Sequence, residues 1–238
     1  MTDLKQALSN AVSQLHGGEL PIKTWADLIR LGVVKTYEFY LNTLIRLVRS
    51  VYQGYLGGEF IDIMANLVQG QINQAYGQAW IDEGDGGTMP EYLLDAATAF
   101  ILQQYMHVDQ YYRDIVDARI DGTSIEPLFV RAQMWAGQYD TAYRDALLLI
   151  HTENGGNLVW RKGQTEQGCE TCARLDGLVM SAKDWDELGL HPRDYPNPQL
   201  ACEGGGPANN CDCELVPTDQ RRSPNARTDA MNIVMSTR

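Results

Sequence analysis

Cysteine is absent from the first 168 residues of this 238-residue chain, and all five cysteines lie between positions 169 and 213. An apolar leader after Met1 is missing too, as is an uncharged apolar run of the roughly 18 residues that a membrane helix needs. The longest apolar stretch, positions 39–55, is interrupted by Asn42, Arg46 and Arg49. These absences predict a protein without a membrane span that folds in a reducing cytoplasm, where disulfides are rare.

Basic residues are also scarce: the chain has 19 Lys and Arg but 31 Asp and Glu, which gives a formal net charge of −12. General nucleic-acid binding is therefore not expected, because it needs Lys and Arg to displace counterions from phosphates. A protein partner with a basic face fits better. The chain also lacks the short motifs of zinc proteases, serine hydrolases, phosphate-binding loops and dinucleotide-binding folds, so no enzyme is predicted.

Residues 1–150 have the sequence period of helices, and a helical bundle is predicted for them. The first clear stripe alternates spacings of three and four through Val34, Tyr37, Leu41, Leu44, Val48, Val51 and Tyr55. A second helix is expected over 60–81, with an inward face of Phe60, Met64, Leu67, Tyr76 and Ala79. A short helix over 4–15 is expected to precede both of them.

Two further helices are predicted from start signals. Thr88 and Glu91 have the spacing of a capping box, and the helix after them is expected to bury Leu94, Ala97, Ile101, Tyr105, Val108, Tyr112 and Ile115. Ser124 is expected to begin the last helix, whose inward face comprises Leu128, Ala132, Trp135, Tyr139, Ala142, Ala146 and Leu149.

After residue 150 the helical period stops, and Gly, Pro, Asn and Cys become frequent. Short strands are predicted over 158–160 and 214–216, a hairpin turn at Asp176-Gly177, and a short helix capped by Ser181. The predicted fold class is therefore α+β: a helical domain (1–150), a small Cys-rich β-hairpin module (151–217) and a tail (218–238). The tail has few apolar residues and is expected to be mobile unless a partner orders it.

The cysteines are arranged in a pattern that predicts a structural zinc site. Cys169 and Cys172 form a Cys-x-x-Cys pair, and Cys211 and Cys213 are two residues apart, so both side chains of the second pair point to one face of an extended chain. Four thiolates give the tetrahedral coordination that Zn²⁺ prefers. A segment of this size with few large apolar residues needs such a cross-link to fold firmly.

The fourth ligand stays open. Cys202 could replace Cys211 or Cys213, and His191 is a further alternative. Free or oxidised cysteines are the competing interpretation of the whole cluster. A catalytic zinc is disfavoured because four thiolates leave no open coordination position. A thioredoxin-like redox pair is disfavoured because no βαβ unit surrounds the Cys-x-x-Cys motif.

The combination of Trp160, Cys169-x-x-Cys172, Leu175-Asp176-Gly177, Trp185 and the closing Cys211-x-Cys213 resembles the phage head morphogenesis family, whose members are minor head proteins similar to the F protein of phage Mu. The resemblance covers about residues 90–217, and its specific part is 160–217. The family often ends in His-Pro-x-Cys-Arg-Cys. This chain departs from that pattern with Asp212 between its last two cysteines, with the additional Cys202 and with a Gly-rich insert.

The resemblance implies a virion component: a low-copy minor capsid protein near the portal that acts in head assembly or DNA delivery. Its implied partners are the portal or major capsid protein, with no membrane, and self-association is an open alternative. Weak DNA contact through the tail arginines Arg221, Arg222 and Arg227 is another alternative. Two competing functions are a cytoplasmic zinc-module adaptor for host proteins and an enzyme or toxin domain carried on a head-type module.

Overall fold

A computed structural model describes residues 37–163, 170–192 and 213–236. Its helical part consists of α1 (Tyr37–Tyr52), α2 (Glu59–Glu83), α3 (Glu91–Ile120), α4 (Glu126–Ala136) and α5 (Gln138–Glu153). The remainder consists of β1 (Asn157–Arg161), α6 (Glu170–Leu175), β2 (Val179–Ser181), α7 (Ala182–Glu187), β3 (Glu214–Thr218) and α8 (Ala226–Ser236). The chain is mainly helical with a small antiparallel sheet, which confirms the α+β class. The short helix expected over 4–15 lies outside the described residues.

The long helix α2 lies at the centre of the helical part, between α3 and α5. Its apolar residues Phe60, Met64 and Ile72 are fully buried in one core with residues from α1, α3, α4 and α5. The buried amide of Gln71 donates from Nε2 to the main-chain oxygen of Ala136 at 2.6 Å, so a carbonyl at the end of α4 keeps a partner inside the core. Among the described helices, none combines the length and the apolarity that crossing a membrane requires.

The predicted stripe of α1 is correct in its middle and wrong at Tyr37 and Tyr55, which are exposed, while Val34 lies outside the described residues. Leu44, Val48 and Val51 are buried as expected. Tyr55, however, lies beyond the end of the helix and is 84% exposed. The helix ends at Tyr52, and Gly54 follows with φ +79°, a left-handed conformation that turns the chain away from the helix axis.

The single helix predicted from Ser124 to Leu149 is instead two helices, α4 and α5, which meet at Gly137. Glycine is a poor helix former, so a break costs least at this position. The capping box predicted at Thr88 is also wrong. Pro90 occupies the residue before α3, and its carbonyl accepts from Leu93 N and Leu94 N, both at 3.2 Å. That arrangement satisfies the first turn of α3 without Thr88.

The sheet has the order β2-β1-β3, with both pairings antiparallel. Leu158 lies opposite Met180 on one side and Pro217 on the other, and Trp160 lies opposite Leu215. The hairpin predicted at Asp176-Gly177 is wrong in detail. The residues before this turn form α6 and not a strand, so the turn joins a helix to β2. The predicted cap of α7 is confirmed, since Asp184 N donates to Ser181 Oγ at 3.1 Å.

The tail differs most from expectation. Residues 226–236 form α8, whose Ala226, Ala230 and Val234 are buried in the core of the sheet module. Arg227 Nη1 donates to Asp184 Oδ1 at 2.7 Å and to Glu187 Oε2 at 2.8 Å. The expected mobile tail is therefore, over these residues, a packed helix, because small apolar side chains spaced four apart let it lie close against the module.

Candidate metal centre

Cys172 lies on α6 and is 1% exposed. The turn that follows α6 fastens this helix to β1. Asp176 Oδ1 accepts from Lys162 N at 2.9 Å, just past the end of the strand. Gly177 N donates to the carbonyl of Trp160 at 2.9 Å, and Gly177 adopts φ +82°, which favours glycine. The Leu-Asp-Gly sequence thus holds Cys172 against the carboxyl end of β1.

Cys213 comes to the same end of the sheet from the other side. It directly precedes β3, whose Glu214 and Leu215 lie opposite Arg161 and Trp160 of β1. Since side chains alternate along an extended chain, Cys213 shares a face with Leu215 and with Trp160. Its side chain is 4% exposed.

Cys172 and Cys213 are buried in one hydrophobic cluster, although 41 positions separate them in the sequence. The fold therefore brings together one cysteine from each of the two predicted ligand pairs. Of the other predicted ligands, Cys169 immediately precedes α6 and Cys211 is two residues before Cys213 in the sequence. Cys169, Cys202 and Cys211 lie outside the described residues.

Within 37–163, 170–192 and 213–236, no three His, Cys, Asp or Glu side chains are grouped as a metal site requires. The two described cysteines come from separate elements, α6 and the residue before β3, and are buried in the same cluster. The donor chemistry suits Zn²⁺, which thiolate sulfur binds well. Loss of the thiol proton would create a buried negative charge, and a bound metal ion would offset the cost of burying it.

His191, the alternative ligand, follows α7 and has another partner in the structure. Its Nε2 lies 3.3 Å from Asp186 Oδ1. With Pro192 it also lines a groove of about 530 Å³ between the helical part and the sheet. The other walls of that groove come from α3, α5, β1 and β3, including Phe100, Leu148, Leu158 and Leu215.

Trp160 and Trp185 are the largest fully buried side chains of the module core, and the sequence alone gave no sign that they are in contact. Both are fully buried, and their ring centroids are 5.5 Å apart at an interplanar angle of 42°. Trp185 Nε1 donates to the main-chain oxygen of Leu158 at 3.0 Å. Both residues were part of the family pattern, but their contact joins β1 to α7 and is not visible in either local sequence.

A second groove, of about 780 Å³, lies where α2 and α5 end beside the sheet. His151 Nε2 lies 3.3 Å from Glu83 Oε2 in its wall. Gly156 is required there, because a Cβ at this position would lie 2.6 Å from His151 Nδ1. The remaining lining residues are Asn157, Pro217, Thr218, Asp219 and Gln220. This groove marks the junction of the helical part and the module.

In comparisons with known proteins, no family model, no curated protein and no solved structure matches this chain.

Proposed function

We propose that this chain is a structural minor head protein of a tailed phage or prophage, active in head assembly near the portal or in DNA delivery. We propose further that a structural zinc ion holds its C-terminal module. The proposal rests on the pattern of Trp160, Cys-x-x-Cys, Leu-Asp-Gly and Cys-x-Cys in residues 160–217. The observation that supports it best is the convergence of Cys172 and Cys213, one from each motif, in a single buried cluster.

The zinc ligands in this proposal are Cys169, Cys172, Cys211 and Cys213, with Cys202 as the substitute for Cys211 or Cys213. The described core of the module is small. Besides Trp160 and Trp185, it consists mainly of leucines and alanines. A core of this size contributes little to folding by itself. Structural zinc contributes an apparent binding free energy of about 10 kcal/mol or more, which makes folding of the module dependent on metal.

The role of the metal in this proposal is structural and not catalytic. Four thiolates complete a tetrahedral shell and leave no position for water or substrate. The Leu-Asp-Gly turn holds α6 against β1 through Asp176 and Gly177. These contacts would orient the ligand on α6 before the ion binds, as supporting residues around metal sites do.

The partner in this proposal is the portal or the major capsid protein, and the chain that meets it has a formal net charge of −12. A chain this acidic favours a partner with a basic docking face. The tail gives less support to DNA contact than its composition indicates. Arg227 forms ion pairs with Asp184 and Glu187, and Arg222 Nε donates to Asn157 Oδ1 at 3.0 Å. Two of the three arginines are thus engaged within the chain.

Metal analysis of the purified chain and of single Cys→Ser variants tests the zinc site. We expect one zinc per chain, with loss of zinc and a lower Tm in C169S, C172S, C211S and C213S. C202S is the matched control and should keep its metal; if C202S loses zinc and C211S or C213S keeps it, Cys202 is the fourth ligand. Because Ser at a buried position destabilises in its own right, C172A and C213A are measured as well. Unchanged metal content in all five Ser variants would contradict the zinc site.

Virion association tests the function separately from the metal. Heads assembled by the source phage with and without its portal protein are purified and probed for this chain. We expect the chain in heads that contain the portal and its depletion from heads that lack it. Recovery with host proteins and absence from heads would contradict the proposal and favour the adaptor alternative.

A further inference from the structure

Trp160 carries a buried N–H group for which none of the described residues supplies an acceptor. The side chain is fully buried, and its Nε1 atom has no hydrogen-bond partner within the described part of the chain. A buried donor left without a partner costs about 1–3 kcal/mol. Native structures rarely keep such a group without a structural reason.

The neighbouring tryptophan shows that this core can satisfy an indole. Trp185, whose ring centroid is 5.5 Å from that of Trp160, donates its Nε1 proton to the carbonyl of Leu158. The main chain of Trp160 is satisfied as well, since its N–H donates to Leu178 O at 3.0 Å and its carbonyl accepts from Gly177 N at 2.9 Å. The orphaned donor is therefore the indole alone.

The cluster around this indole offers sulfur as its side-chain acceptor. Apart from the sulfur of Cys172, Cys213 and Met180, its buried members have aliphatic or aromatic side chains without an acceptor. The thioether of Met180 carries no charge and is only a weak acceptor, with or without a metal ion. The strand register relates Cys213 to Trp160. Trp160 lies directly opposite Leu215, so Cys213 occupies the diagonal position on the same face. Diagonal neighbours across an antiparallel pair lie about 7–8 Å apart between Cα atoms, which a tryptophan side chain spans.

We propose that the Trp160 indole N–H donates to the Cys213 thiolate when the module holds its metal ion, so that Trp160 is a positioning residue of the site. This inference rests on the zinc site proposed above. A neutral thiol is a weak acceptor, whereas a metal-bound thiolate is charged and accepts strongly. The hydrogen bond would therefore form with the metal-bound state and favour it. It would also fix the orientation of the sulfur.

The test uses the full chain loaded with NMR-active cadmium in place of zinc. If the indole donates to a metal-bound sulfur, the Trp160 Hε1 signal shows scalar coupling to cadmium. This coupling is transmitted through the cadmium–sulfur bond and the hydrogen bond, so it requires both. Trp185 Hε1 is the internal control and should show none, because its acceptor is a carbonyl. This measurement needs no variant and stands even if substitutions at Trp160 prevent folding.

Chelator competition on variants gives the second arm. We expect W160F to keep one metal per chain but to bind it about 10-fold to 100-fold more weakly, as for lost partners of metal ligands. W185F, which also loses a buried indole, should lower the Tm but leave metal affinity unchanged. The inference is overturned if the wild-type chain binds metal normally, its Trp160 Hε1 signal shows no coupling to cadmium, and W160F binds the metal as tightly as wild type. That result would not contradict the zinc site itself. Failure of the wild-type chain to take up zinc or cadmium overturns both.

Discussion

Ser223 and Val179 exchange two hydrogen bonds across the outer edge of β2. Ser223 N donates to Val179 O at 2.9 Å, and Val179 N donates to Ser223 Oγ at 3.1 Å. β2 is an edge strand, and an uncovered edge leaves main-chain groups open to other chains. The segment that leads into α8 therefore covers this edge. The tail completes the module and is not an appendage to it.

Packing of α8 predicts a large difference between two adjacent substitutions. Ala230 is fully buried in the module core, whereas Met231 is 47% exposed. We expect A230E to lower the free energy of unfolding by roughly 3 kcal/mol, because it overfills the contact and buries a charge. M231E should change it by less than about 0.5 kcal/mol. Urea denaturation of both variants measures the difference, and equal effects would show that α8 does not pack in solution.

Two Gly→Ala substitutions should have opposite effects. G156A places a Cβ 2.6 Å from His151 Nδ1, so we expect a loss of roughly 1–3 kcal/mol from overpacking. Gly70 lies within α2 and has open space where a Cβ would go. G70A should therefore raise the free energy of unfolding by about 0.5–1 kcal/mol through helix propensity. Thermal and urea unfolding check both signs, and stabilisation by G156A would contradict the close contact.

Two tyrosines that bond to main-chain carbonyls form a further matched pair. Tyr111 Oη donates to Leu128 O at 2.6 Å in the core, and Tyr52 Oη donates to Thr123 O at 2.7 Å near the surface. Y111F leaves a buried carbonyl without its partner and should cost about 1–2 kcal/mol. Water can replace the hydroxyl of Tyr52, so Y52F should lower the free energy of unfolding by less than Y111F does. Urea denaturation of both variants measures the difference. A cost for Y52F equal to that for Y111F would contradict the burial argument.

Asp184 predicts a pH dependence of stability. Hydrogen bonds from Ser181 and then Arg227, together with the charge of Arg227, hold the pKa of Asp184 below its ordinary 3.8, although burial opposes them. Because the folded pKa is the lower one, this stabilisation is present above pH 3.8 and is lost as the pH falls through the folded pKa. R227Q should bring the pKa of Asp184 in the folded protein closer to 3.8. The free energy of unfolding of R227Q should therefore fall furthest below that of wild type above pH 3.8, and the difference should shrink in more acidic solution.

Urea denaturation at several pH values compares R227Q with wild type. R113Q serves as the control, since its ion pair with Asp109 is a surface contact within α3. A deficit of R227Q that persists unchanged at the most acidic pH would show that Arg227 acts through packing and not through the Asp184 carboxylate.

Local sequence signals were reliable where neighbouring residues decide the outcome. The stripe around Leu44, Val48 and Val51 predicted α1, because period and burial coincide within one helix. The cap of α7 at Ser181 followed in the same way from side-chain to main-chain hydrogen bonding. The strand around Val159 was identified by its apolar residues and by the loss of helical period before it.

The errors arose where distant residues compete with local preference. Asp176-Gly177 has the composition of a hairpin turn, but α6 before it packs against β1 and takes the place of a strand. The tail 218–238 has few apolar residues overall and therefore did not predict burial, yet all of them lie within 226–236, where Ala230 and Val234 meet a core formed by residues far earlier in the chain. Composition alone does not reveal that such a surface exists.

The sequence by itself determined the helical character of 37–153, the strand at β1 and the clustering of cysteines in the last third, because period and spacing are local properties. Tertiary structure alone decided that α8 closes the module and that Cys172 and Cys213 are buried in one cluster. It also decided that the indole of Trp160 is buried beside them without an acceptor among the described residues. The physical reason is that burial and hydrogen-bond satisfaction depend on elements distant in sequence, and these are set only when the sheet and its helices assemble.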